Sequence, residues 1–179
     1  MNKYKKSIIF LIKFFVTYFL LFVIYAAYLQ NGQQKLNGFQ CAPLTEKVAN
    51  QTVGVLQFFG YNASATQHDK EMSVKLLIEN VYTARVIEGC NSVSIIILFV
   101  AFIVAFGRAK KITILVYSIA GSLFIYGINI LRIAFLTVML YKYPDEQVVL
   151  HNLIFPAIIY GATFLLWVLW VQKFSKYKA

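Results

Sequence analysis

Residues 93–141 read VSIIILFVAFIVAFGRAKKITILVYSIAGSLFIYGINILRIAFLTVMLY, and this stretch decides the fold. Two apolar runs are joined by a short basic connection holding Arg108, Lys110 and Lys111. The first run carries no charge and the second only Arg132. About 20 residues at ~1.5 Å each cross a bilayer core of about 30 Å, so these runs predict transmembrane helices over about 87–106 and 112–140. Working outward, a third apolar run covers 8–29, interrupted only by Lys13, which can snorkel to the near interface. A fourth covers 148–171, with His151 at one end and Trp167 and Trp170 towards the other. The expectation is an all-α integral membrane protein, a single domain over 1–179 with about four transmembrane helices.

Composition points the same way. Hydrophobic residues make up 60% of the chain and charged residues 13%, whereas soluble domains are about half apolar and one quarter charged. The net charge of +10 does not signal nucleic acid, because the basic residues flank apolar runs and line no soluble helix face. The 8–29 run is longer than a signal-peptide core and its exit, YAAYLQNGQQ, offers only a weak cleavage site. It reads as an uncleaved anchor.

Between the first two spans lies an outer loop over about 30–86. Its first half is polar, with a proline and several glycines, and predicts irregular structure. From His68 to Val86, Met72, Leu76, Ile78 or Glu79, and Tyr82 or Thr83 recur at helical spacing. They predict an amphipathic helix on the membrane surface or capping the bundle.

Three polar residues share a depth. Cys90 is 18 residues from Arg108, Arg132 is 21 from Lys111, and His151 is 22 from Lys173. As helix these separations are about 27, 31 and 33 Å, so three spans carry a Cys, an Arg and a His to the outer interface. Such a trio could perform nucleophilic acyl transfer. The thiolate attacks a carbonyl, the imidazole moves the proton, and the guanidinium holds the oxyanion. A helix N-terminus beside Cys90 would favour its thiolate. Blander readings stand beside these: Cys90 as packing, Arg132 as an interfacial anchor, His151 as a helix-entry residue. Cys41 lies on the same side as Cys90, so a disulfide between them is open. Neither cysteine belongs to a C-x-x-C pair, which disfavours a thiol oxidoreductase, and His68 and the loop carboxylates lack metal-ligand spacing. No metal or cofactor is expected.

The segments VIEGCNSVSIIILFVAFIVAF, NILRIAFLTVMLY and VVLHNLIFP resemble the exosortase/archaeosortase family of membrane transpeptidases, most of all its exosortase F branch. The resemblance implies a catalytic Cys90, Arg132 and His151. It also implies substrates that are exported proteins ending in a sorting signal: a short motif, a transmembrane helix and a basic tail. Cleavage near the motif would pass the acyl group to an acceptor at the outer face of the cell inner membrane. The chain is shorter than the larger exosortases, which suggests help from a small accessory membrane protein. Membrane lipid is the other expected partner, and nucleic acid is not one. The alternative function is a non-catalytic membrane subunit of a protein-export or surface-polymer assembly complex.

Orientation follows from charge. Lys3, Lys5, Lys6 and Lys13, the Arg108–Lys111 connection, and Lys173, Lys176 and Lys178 fall on one side with no acidic residue among them. All seven acidic residues (Glu46, Asp69, Glu71, Glu79, Glu88, Asp145, Glu146) fall on the other. The positive-inside rule places both termini in the cytoplasm. Reporter fusions after residues 60 and 110 should then report opposite sides, the first outside. A cytoplasmic signal from the fusion at 60 would overturn the orientation.

Overall fold

The computed structural model describes residues 2–32, 40–107, 109–146 and 154–174. Among the described residues, five α-helices run in chain order: α1 (Asn2–Gly32), α2 (Pro43–Phe58), α3 (Val93–Phe106), α4 (Lys111–Lys142) and α5 (Phe155–Leu169). A three-stranded antiparallel sheet of β1 (Ala63–Gln67), β2 (Ser73–Ile78) and β3 (Val81–Ile87), in that spatial order, lies between α2 and α3. A 3-10 turn, Glu88–Cys90, joins the sheet to α3, and a π-helical turn, Trp170–Phe174, extends α5.

α3 is the centre of the bundle. Its run is uniformly apolar, as a helix surrounded by other helices must be. Phe99 and Ile103 are fully buried with Ile125 of α4, Ile159 of α5 and Trp170. Phe10 of α1 meets Phe102 and Phe106 edge-on at 5.9 Å, and Phe102 stacks on Trp167 at 4.7 Å. Tyr117 ties α4 to the far end of α5 by donating to the Leu166 carbonyl at 2.7 Å. Gly121 lets α4 approach α3, since a Cβ there would overlap the Phe99 ring. By contrast, the hydropathic stretch of α1 has none of its residues buried, which suits a helix bathed in lipid on most sides.

Three described helices are long and apolar enough to cross a membrane: Tyr4–Gly32, Lys111–Lys142 and Pro156–Phe174. The span expected over 87–106 is shorter as a helix. α3 has 14 residues and rises only about 21 Å, because Ile87 ends a strand and Glu88–Cys90 forms a 3-10 turn. The expected 148–171 span is described from Ile154 onward. α4 is the opposite case. Its 32 residues reach about 48 Å, well beyond a bilayer core.

The excess of α4 is buried in protein. Ile133 joins Cys41, Val48, Ala49, Val74, Leu76, Ala84 and Val86 in one cluster. Ala134 joins Leu56, Ala63 and Ile78 in another. The residues after Arg132 therefore continue the helix into a small domain of α2 and the sheet, at the bundle end opposite the Lys110–Lys111 connection.

This domain corrects the reading of the outer segment. Its first half holds α2, begun by Pro43 in the first turn, where a missing N–H costs nothing. Thr45, Val48, Ala49, Thr52 and Leu56 form its buried stripe. Its second half is a β-hairpin in place of the expected amphipathic helix. Val74, Leu76 and Ile78, then Ala84 and Val86, are buried at period two. Glu79 and Asn80, with φ of 51° and 61°, form the two-residue turn between Ile78 and Val81. That left-handed pair is the geometry tight hairpins require. The protein is thus a helical bundle bearing a mixed α/β domain, and all-α holds for the membrane part alone.

Candidate active site at the Cys90 turn

The turn between β3 and α3 is built from Glu88, Gly89, Cys90, Asn91 and Ser92, and each polar side chain has a structural partner. Glu88 accepts from the Ala42 N–H at 2.6 Å and from the Thr45 hydroxyl. A carboxylate therefore sits at the N-terminus of α2, where it is favoured electrostatically. Asn91, only 1% exposed, donates to Tyr25 Oη at 2.7 Å and to Thr45 Oγ1 at 3.3 Å. Its Oδ1 accepts from the Val93 N–H at 3.1 Å, which satisfies the first of the free N–H groups at the start of α3. Ser92 has a positive φ of 65° and its hydroxyl donates to the Asn91 carbonyl at 2.6 Å.

From α4, Asn129 donates to the Cys90 carbonyl at 2.7 Å. Asn129 is itself 1% exposed, and a carbonyl left unmatched in such a place costs about 1–3 kcal/mol. One turn further along, Arg132 reaches back to the same residue, its guanidinium within electrostatic range of the Cys90 thiol. The lean of helical side chains towards the helix N-terminus brings this group down to the level of the turn. Tyr160 of α5 also lies within electrostatic range of the guanidinium.

Two of the three residues singled out in the sequence thus meet, although their helices give them no adjacency in the chain. His151 lies outside the described residues. Cys90 is half-buried, and the exposed Gly89 and Ile87 beside it leave the turn open to approach. It precedes the first residue of α3 by three positions, so Cys90 stands outside the first helical turn. Cys41 and Cys90 are both free thiols. Cys41 is a core residue at 2% exposure. Burial pushes its thiol above the ordinary cysteine range, a Gln67 hydrogen bond at 3.9 Å opposes this, and Glu88 and Glu46 push it up further.

Glu88, Asn91, Asn129, Tyr25 and Thr45 went unassigned by sequence reasoning. For Asn129 a signal existed, since an amide inside an apolar span needs a partner. Tyr25 and Thr45 are ordinary in their local context, and only the fold brings them to the turn.

The model of the transmembrane exosortase family (Exosortase_EpsH) matches residues 8–171. The chain belongs to this family. No curated protein and no solved structure matches it. Membership and the apolar helices make this exosortase a multi-pass membrane protein and suggest cysteine peptidase or transpeptidase chemistry.

The two thiols differ enough for a labelling test. In membranes at neutral pH, a maleimide should modify Cys90 well before Cys41, and Cys41 should react only as the pH is raised or the fold is opened. Equal rates at the two residues in the folded protein would contradict the burial of Cys41 and the approach to Cys90.

Proposed function

We propose that this exosortase is a cysteine transpeptidase, of the exosortase F branch, acting on exported proteins at the outer face of the cell inner membrane. The observation that carries the reading is the proximity of the Arg132 guanidinium to the Cys90 thiol, on a turn that the rest of the fold fixes in place. Substrates are proteins whose C-terminal signal comprises a motif, a transmembrane helix and a basic tail. The extracytoplasmic face is supported by the one-sided distribution of Lys and Arg about the spans.

In this reaction Cys90 attacks the carbonyl carbon at the motif. His151 takes the thiol proton and returns it to the leaving amine as the C–N bond breaks. The acyl group is left as a thioester on Cys90, and an acceptor nucleophile then displaces the sulfur. Arg132 has two tasks, which its fixed planar donors suit. It holds the thiolate before attack and the oxyanion as charge moves from sulfur to oxygen. The tether of Asn129 on the Cys90 carbonyl keeps the nucleophile from swinging away from Arg132.

Variants separate this from an anchoring role for Arg132. Cys90→Ser should insert normally and abolish processing, because a hydroxyl yields almost no anion, whereas Cys41→Ser should process. Arg132→Lys keeps the charge and loses the fork, so processing should fall by about 10²-fold or more. The readout is the processed fraction of exported proteins whose mass depends on this chain, normalised to its abundance in membranes. Near-normal processing by Arg132→Lys would reduce Arg132 to an electrostatic aid, and activity in Cys90→Ser would remove the nucleophile.

A further inference from the structure

β3 is an edge of the sheet, and it runs without interruption into the Cys90 turn. Only its inner side is paired, with β2. No backbone hydrogen bond links its outer side to any described residue. An unpaired edge is usually blunted or covered, and this one carries a bulge. Ala84 opposes Leu76 and Tyr82 opposes Leu77, which leaves Thr83 as the extra residue. Beside the bulge opens a cavity of about 350 Å³ lined by Val81, Tyr82, Thr83, Leu140, Tyr141 and Pro144. Cavity and thiol therefore lie at opposite ends of one strand, and α4 contributes to both, through Leu140 and Tyr141 at one end and Arg132 at the other.

We propose that the substrate segment just upstream of the scissile bond docks as an added strand on the outer edge of β3 and places one side chain in this cavity. The inference rests on the transpeptidase reading for the identity of the peptide. Direction follows from topology. β3 descends from the far end of α4 to the turn, and a substrate whose transmembrane helix follows its motif also descends towards the bilayer. The added strand is therefore parallel to β3. Pairing uses the regular stretch Ala84–Ile87, below the bulge. From Tyr82 to Ile87 the strand covers about 17 Å, and the 3-10 turn adds about 6 Å. The cavity then receives the residue about five to seven positions before the cleaved bond. Backbone pairing supplies affinity with little regard to sequence, and the cavity, walled by Val81, Leu140 and Pro144 among tyrosines, selects a large apolar side chain there.

The test places a photo-crosslinking benzoylphenylalanine at Tyr82 in the full-length Cys90→Ala chain, in membranes of cells making their natural exported proteins. A control carries it at Phe58, an aromatic at 85% exposure on the end of α2. Two or three added backbone hydrogen bonds correspond to about tenfold or more in occupancy. Tyr82 should therefore give about tenfold more product than Phe58, with the linked residue just N-terminal to an apolar helix of an exported protein. Equal yields, or linkage elsewhere in the captured protein, would overturn the docking. The same cells show whether Cys90→Ala changes any exported protein's mass. Crosslinking without such a change would leave the strand docking standing and remove the thiol chemistry. Processing by wild type without crosslinking at Tyr82 would do the reverse.

Discussion

The structure depends on one hydrogen bond, from the Asn129 amide to the Cys90 carbonyl. α3 is too short to cross a bilayer core by itself, so the irregular backbone ahead of Val93 occupies part of the length that a full span would need. Non-helical backbone there persists only where protein satisfies it. Asn129 serves the Cys90 carbonyl, Ser92 serves the Asn91 carbonyl, and Asn91 serves the Val93 N–H. The same bonds that make the turn tolerable also fix the thiol in space. Site geometry and membrane stability are here one requirement.

The length of α4 follows from that requirement. A helix ending at the interface would carry Asn129 and Arg132 on a fraying last turn. Ten further residues reach Lys142 and bury Ile133, Ala134 and Thr137 against α2 and the sheet, so the two polar residues sit mid-helix, where the backbone is rigid. The small domain also closes on the turn from the other side. Glu88 holds the start of α2, Asn91 holds Thr45 and Tyr25, and Tyr28 Oη accepts from the Leu44 N–H at 3.2 Å. Removing any one of α1, α2 or α4 would leave a buried polar group of the turn without its partner.

The common depth of Cys90 and Arg132 was legible in the sequence, because rise per residue converts chain distance into depth; their lateral approach was not, because depth carries no knowledge of packing. The helical membrane part was legible from the same rise per residue. The hairpin was not, because Leu76 belongs to both a period-two and a helical pattern, and because its turn is Glu79-Asn80, without the glycine that usually marks one. α2 was hidden by its polarity: a stripe of Thr45, Val48, Ala49 and Thr52 buries well but reads as weakly apolar. The length of α3 was overestimated because Ile87 is as apolar in a strand as in a span. The partners of Asn91 could not be read at all, lying 46 and 66 residues away.

The most direct measurement is the mass of the Cys90-containing peptide from membranes in which the acceptor is limiting. The account predicts a thioester there, carrying the C-terminal residue of a cleaved exported protein, released by neutral hydroxylamine and missing from Cys90→Ala membranes. An acyl adduct on Cys41, or unchanged processing in Cys90→Ala cells, would contradict it.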